Sequence, residues 1–140
     1  MRAHAGVPTL PGWQQVFSDD FDGAAGQRPD PSRWKFDLGH NYPGGPAHWG
    51  THEVQRYTDD PANVSLDGRG HLRITPLRDA EGEWTSARIE TWRDDFRPPE
   101  GGVLRMEARL RMPQVSGEAA LGYWPASWAL GESSRRLGIW

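Results

Sequence analysis

The sequence predicts an all-β fold of two packed sheets, a sandwich or jelly roll. Apolar residues recur with a period of two in several short runs, whereas no stretch of helical length keeps a 3.6-residue apolar period. Turn-forming residues are frequent, since the 140 residues include 17 glycines and 12 prolines. Short alternating runs with turns between them are typical of sandwiches and jelly rolls.

Seven runs are predicted to be strands. In chain order they are Gln15–Phe21, Glu53–Thr58, Asn63–Leu66, His71–Thr75, Trp84–Trp92, Val103–Met112 and Gly122–Leu130. The turns Asp59-Asp60-Pro61 and Asp67-Gly68-Arg69-Gly70 separate the second, third and fourth runs. These turns carry the residues that favour a chain reversal, so we expect neighbouring strands to pair across them.

The run Val103–Met112 has the clearest alternation. One face would carry Leu104, Met106, Ala108, Leu110 and Met112, and the other Arg105, Glu107, Arg109 and Arg111. The pair Gly101-Gly102 opens the run and Pro113 closes it. The pattern predicts one long strand with a dry face and a wet face.

Composition excludes several classes of function. The formal net charge of -3 gives no basic surface for nucleic acid. No apolar run approaches the length that crosses a bilayer, so we expect no membrane partner. Cysteine is absent, which excludes disulfides and thiolate chemistry. Residues 1–12 lack the apolar stretch of a signal peptide and are predicted to be an N-terminal extension, while residues 13–140 form part of one domain.

Arg88 is the first candidate binding residue. It lies inside a predicted strand and shares a face with Glu90 and Trp92. A cation placed mid-strand beside aromatic residues is suited to line a polar cleft. The alternative is a surface arginine paired with Glu90, which would contribute little to stability. The pattern alone does not decide between the two.

Trp124 and Trp128 are the second candidates. They are an even number of residues apart, so in a strand they would point the same way. Two indoles on one face offer a flat platform for the C–H face of a sugar, with Arg88, Glu53 and Gln55 as polar partners for its hydroxyls. The alternative is a pair of core tryptophans. Pro125 predicts an irregular or edge strand.

Metal ligation has weaker support. His48 and His52 are four residues apart and precede Glu53, but Gly50 argues against the helix that would bring the two histidines together. Asp19, Asp20 and Asp22 could offer oxygen ligands to calcium. On composition alone, a solvated acidic strand end is the favoured interpretation.

In order, the motifs resemble glycoside hydrolase family 16. The matching blocks are Trp13–Gly23, Trp34, Trp49–Thr58, Asn63-Val64, Gly70–Thr75, Thr85–Ile89, Gly102–Arg109 and Gly122–Gly131. The Trp-Pro-Ala-Ser-Trp segment is most similar to the laminarinase-like members, which act on β-1,3-glucans. Departures include Asp20, where the family usually has Glu, and Thr51 and His52, where it often has Asn.

The resemblance implies a concanavalin A-like jelly roll with a concave cleft, incomplete in this chain. It implies that Arg88, Trp124, Trp128 and Trp140 contact β-glucan in that cleft, and Glu53 is a further expected binding residue. A structural calcium would be held by Asp20 and the backbone oxygen of Gly70; no other cofactor is expected. The family acts outside the cell, so an extracellular location is expected.

The same resemblance implies a retaining endo-β-1,3-glucanase. By this resemblance its catalytic motif, Glu-x-Asp-x-x-Glu, is expected just after Trp140. The first and last Glu of the motif would be the two carboxyl groups that a retaining mechanism needs roughly 5–5.5 Å apart. We therefore expect the 140 residues to hold part of the substrate cleft and to be inactive alone. Two alternatives stay open, a non-catalytic carbohydrate-binding module and a structural fragment without a ligand.

Overall fold

A computed structural model describes residues 10–131, and its regular structure is almost entirely β. The strands are β1 (Trp34–Asp37), β2 (Arg56–Tyr57), β3 (Val64–Leu66), β4 (Leu72–Ile74), β5 (Leu77–Arg78), β6 (Trp84–Ser86) and β7 (Arg88–Thr91). Two single 3₁₀ turns span Ala47–Gly50 and Gly117–Ala120. Within the described part, no helix is long and apolar enough to cross a membrane. The predicted all-β class is confirmed.

The strands form three small sheets. β1 pairs with β7 and β3 pairs with β4, both antiparallel, while β6 lies between β2, which is parallel to it, and antiparallel β5. Only Ala87 separates β6 from β7, so one run of chain belongs to two sheets in succession. This run brings β1 and β2 to the same region, where Gly39 bridges to Tyr57.

The core of the described residues is small. Its buried hydrophobic side chains are Trp49, Val64, Leu66 and Ala87, and Pro29 is also fully buried. Val64 and Leu66 alternate with the half-buried Ser65, as a strand with one covered face requires.

The segment before β1 is held in place by side-chain contacts rather than by backbone pairing with another strand. Trp34 donates its indole N–H to Asp19 at 2.7 Å, and the ring of Phe17 meets Trp34 edge-on at 5.6 Å. Asp19, one of the three acidic residues considered for calcium, therefore has a structural bond to β1.

Three predicted strands are wrong and one is shorter than predicted. The structure has no strand in Gln15–Phe21, Val103–Met112 or Gly122–Leu130, and only Arg56–Tyr57 remains of Glu53–Thr58. Alternation predicts which side chains would share a face, but a strand also needs a neighbour for its backbone N–H and C=O groups. Among the described residues no segment pairs with 103–112 or 122–130.

The chain is a partial domain, as expected. Large apolar side chains are open to solvent, including Val103, Met106 and Leu121 at 71%, 67% and 78% exposure. Such exposure is unusual for an isolated folded domain, because it leaves apolar area in water.

Candidate functional site

Arg88 lies at the first position of β7 and bonds across the sheet to β1. Its partner in the antiparallel register is Asp37, and Arg88 Nε donates to Asp37 Oδ2 at 3.0 Å. The two side chains are 14% and 3% exposed. The alternative of a surface arginine does not hold, because Arg88 is largely buried and paired with Asp37. Glu90 forms a salt bridge with Lys35, two register positions along the same strand pair.

Tyr42 completes a buried polar triad with this pair. Its hydroxyl donates to Asp37 Oδ2 at 3.0 Å and accepts from Arg88 Nη2 at 3.2 Å. Burial, followed by the nearby Glu90 carboxylate, raises the pKa of Asp37 from 3.8 to about 6, although Arg88 and Tyr42 act in the opposite direction. Burial and the adjacent Asp37 likewise raise the pKa of Tyr42 to about 12, so its proton stays in place near neutral pH.

Three aromatic rings surround the Arg88 guanidinium. The distances from its carbon to the ring centres are 4.6 Å for Trp49, 5.1 Å for Trp128 and 5.4 Å for Tyr42. Each contact lies within the range of a cation–π interaction. We refer to Asp37, Tyr42, Trp49, Arg88 and Trp128 as the Arg88 cluster.

The loop residue Trp49 reaches the cluster through an unusual backbone. In the 3₁₀ turn Ala47–Gly50, His48 and Trp49 take φ values of 50° and 57°, which is rare for bulky residues. Trp49 is 1% exposed, so the packing around the indole offsets the strain of this conformation. The loop is therefore fixed against the sheet at the point where Arg88 emerges.

Glu53 forms a hydrogen-bonded network beside the cluster. One carboxylate oxygen accepts from Thr51 Oγ1 at 2.8 Å, and the other from Gln55 Nε2 at 2.7 Å and Tyr57 OH at 2.6 Å. Burial, and then the bond to Glu53, raise the pKa of Tyr57. The Tyr57 ring also packs against Trp49, with centres 5.4 Å apart, which joins this network to the Arg88 cluster.

Known proteins are similar to this chain in both sequence and backbone structure. No family model matches the chain. The endo-1,3-β-glucanase from Streptomyces sioyaensis is 59% identical over 95% of this chain, with a TM-score of 0.91. A β-glucanase from Rhodothermus marinus is 38% identical over 86% of it. These matches confirm the predicted resemblance to the β-glucanases of glycoside hydrolase family 16. The likeness is consistent with the jelly roll expected from the sequence.

The matches cover this chain better than they cover its relatives. The chain spans 48% of the Streptomyces enzyme and 37% of the Rhodothermus enzyme. It spans 19% of the glucan endo-1,3-β-glucosidase A1 from Niallia circulans, which is 28% identical over 95% of this chain. The chain thus corresponds to about half, or less, of each protein.

The structure brings some of the predicted site residues together. Arg88 and Trp128 are in contact, and the Glu53 network is joined to them through Tyr57 and Trp49. Trp124 is 87% exposed and is not on a strand, so the face it was predicted to share with Trp128 does not follow from strand geometry. Trp140 lies outside the described residues.

Sequence reasoning missed Asp37, Tyr42 and Trp49. The available signal for Tyr42 and Trp49 was the concentration of aromatic residues and histidines in residues 39–50. Asp37 had no comparable signal, because its importance comes from the strand register that places it opposite Arg88.

The candidate metal ligands are less well assembled. His48 Nδ1 lies 3.0 Å from the backbone oxygen of Glu53 and its ring packs against His40. Within residues 10–131 no group of three acidic or histidine side chains is placed to hold a metal. Asp20 is exposed and Gly70 is half-buried. Calcium takes six to eight oxygen ligands, so these two residues alone do not form a site.

Proposed function

We propose that the complete protein is a retaining endo-β-1,3-glucanase and that the described residues form one wall of its substrate cleft. The observation that carries the proposal is the Arg88 cluster beside the Glu53 network, in a chain 59% identical to a protein named an endo-1,3-β-glucanase. Aromatic faces next to charged hydrogen-bonding groups match the two sides of a sugar, its C–H face and its hydroxyls.

Within this proposal Trp128 is the sugar platform closest to the charged groups. One side of its ring meets Arg88, yet 55% of the residue is exposed and available to a ligand. Trp124, at 87% exposure, would extend the platform. Glu53 and Arg88 would bind hydroxyl groups, and their existing bonds hold them in fixed orientations, which reduces the entropy lost on binding.

The carboxylates near the cluster are poorly suited to the bond-breaking step. A retaining mechanism needs a nucleophile and a separate acid that can reach the glycosidic oxygen. Asp37 has a pKa suited to an acid but is 3% exposed and bonded to Arg88. Glu53 accepts three hydrogen bonds, and Glu90 pairs with Lys35. We therefore propose that the 140 residues supply glucan-binding groups to the complete protein and do not hydrolyse glucan by themselves.

A chimera provides the test. In it, this chain replaces the matching half of the Streptomyces enzyme, and reducing-sugar release from laminarin is measured for the chimera and for the 140-residue chain. Activity in the chimera alone supports the proposal. Activity in the isolated chain would show that Glu53 or another carboxylate within it performs the chemistry. An inactive, folded chimera that still binds laminarin would favour a non-catalytic carbohydrate-binding module.

A structural calcium and an extracellular location are further parts of the proposal. Calcium would take one oxygen from Asp20 and the backbone oxygen of Gly70, with the remaining ligands supplied by other backbone groups, water or the rest of the domain. A bound ion would raise the melting temperature of the chimera, and Asp20→Asn would weaken that response.

Because a glucan polymer is not taken up intact, activity should be found in the culture medium of the source cells.

A further inference from the structure

A stretch of the described chain has no backbone partner. Residues 103–115, which we refer to as the unpaired segment, contain no strand, helix or turn. Their backbone N–H and C=O groups form no hydrogen bond to other backbone groups within residues 10–131. An open row of such groups is a template for pairing with another strand.

The side chains of the unpaired segment are also uncovered. Met106, Leu110 and Met112 are 67%, 54% and 46% exposed, and they alternate with charged residues. On the charged face Arg105 pairs with Glu107, whereas Arg109 and Arg111 have no ion pair in the part of the chain that the structure describes. A partner for this surface would therefore combine strand edges and apolar side chains with acidic groups.

The Streptomyces enzyme indicates which polypeptide fits. Its backbone follows that of this chain over 95% of the length at a TM-score of 0.91, yet the match accounts for only 48% of the Streptomyces chain. Because the match covers 95% of this chain, it includes at least part of the unpaired segment. A backbone path without internal bonds must be held by its neighbours. In the relative, the remaining half of the chain is available to supply them.

We propose that the unpaired segment is the docking surface for the other half of a family 16 domain, and that this half binds here even as a separate polypeptide. The incoming strands would bond to the backbone of residues 103–115 and cover the stripe formed by Leu104, Met106, Leu110 and Met112. Association of this kind needs no peptide bond between the halves, because the contacts themselves are those of a domain interior.

The test uses two polypeptides, this 140-residue chain and the half of the Streptomyces enzyme that it does not match. Because this chain alone is expected to aggregate, the two are refolded together by dilution from urea. The soluble product is examined by analytical ultracentrifugation and by amide hydrogen exchange, neither of which depends on glucan hydrolysis. We expect a one-to-one complex and slower exchange in residues 103–115. Met106→Lys with Leu110→Lys should weaken the complex by about a hundredfold or more, since two charges would enter an apolar interface. Arg109→Gln with Arg111→Gln, on the other face, is the matched control and should weaken it far less.

Three results would overturn the proposal. The first is the absence of a complex, with residues 103–115 exchanging freely in the mixture. The second is a complex that both double variants affect equally, which would place the contact elsewhere. The third is a homodimer of this chain that the Streptomyces half does not displace, which would assign the surface to a second copy. Exchange in β3 and β4, far along the chain from the substitutions, reports whether each variant keeps its fold.

Discussion

At the scale of single residues, Arg88 has two contacts with different consequences. It neutralises Asp37, whose side chain is only 3% exposed, and it packs against Trp128, which faces solvent. Removal of one partner of a buried ion pair leaves an uncompensated charge, and this is far more destabilising than the loss of a surface pair.

We predict that Arg88→Ala in the chimera lowers the free energy of unfolding by about 3–5 kcal/mol at pH 8. The loss should be smaller at pH 5, because Asp37, with a pKa of about 6 even beside Arg88, would then be protonated. Urea unfolding at the two pH values measures the difference. Adding Asp37→Asn to the variant should recover much of the stability at pH 8. Equal losses at both pH values would contradict the assigned pairing.

Asp37 also predicts a pH dependence of stability in the unmodified chimera. Its pKa is raised from 3.8 to about 6 in the folded state, so between these values the folded state binds a proton more tightly than the unfolded state. The contribution is fully present below about pH 4 and is lost as the pH rises through 6. It amounts to roughly 3 kcal/mol at most. The difference in unfolding free energy between wild type and Asp37→Asn should follow this slope; a flat difference would contradict it.

Residue-level prediction from the sequence relied on local patterns, and the binding role assigned to Arg88 stays a prediction. Arg88 was singled out from its mid-strand position, and the structure places it in an aromatic cluster. Its partner was not predictable, because Asp37 is 51 residues away in sequence and meets Arg88 only through the β1–β7 register. Strand parity offered only Glu90 as a partner, and the structure pairs Arg88 with Asp37.

At the scale of elements, prediction succeeded for the two strands on either side of a predicted turn. β3 and β4 pair across the predicted turn at Asp67, whose side chain accepts from the backbone N–H groups of Arg69 and His71. The run Val103–Met112 has the better alternation yet forms no strand. Its alternation would place the apolar side chains on one face of a strand, but no described segment forms the backbone hydrogen bonds that a strand needs.

Asn63 connects these elements and gives a prediction at the same scale. The side chain, 3% exposed, donates to the backbone oxygen of Thr75 and to Thr85 Oγ1, and accepts from Thr58 Oγ1. Asn63→Ala should lower the unfolding free energy of the chimera by about 3 kcal/mol, since it leaves buried polar groups unpaired. Asn41→Ala, at an exposed position with a local bond, is the control and should change it by less than about 0.5 kcal/mol. Similar urea midpoints for the two variants would contradict the role of Asn63.

At the scale of the whole molecule, the described residues leave much of their apolar surface uncovered. Few of their apolar side chains are buried, whereas large apolar residues in the second half of the chain are open to solvent. Folded domains are stable by only about 5–15 kcal/mol, so the missing burial is a large fraction of the total.

We therefore predict that the 140-residue chain alone unfolds without a sharp transition and tends to aggregate through its unpaired segment. Circular dichroism during heating, with light scattering recorded in parallel, measures both properties. The chimera should show one cooperative transition under the same conditions. A cooperative transition in the isolated chain, without aggregation, would show that its own contacts suffice.

The most direct test of the proposed cleft compares two tryptophans of equal exposure. Trp128, 55% exposed, lies in the Arg88 cluster, while Trp92, 56% exposed, donates its indole N–H to the backbone oxygen of Pro31 outside the cluster. The measurement is kcat/KM on laminarin for the chimera with Trp128→Ala or Trp92→Ala. We predict a loss of about tenfold or more for Trp128→Ala, equivalent to about 1.4 kcal/mol, and a change of less than about twofold for Trp92→Ala. Unchanged activity of Trp128→Ala, or equal losses for both variants, would contradict the assignment of this face to the glucan cleft.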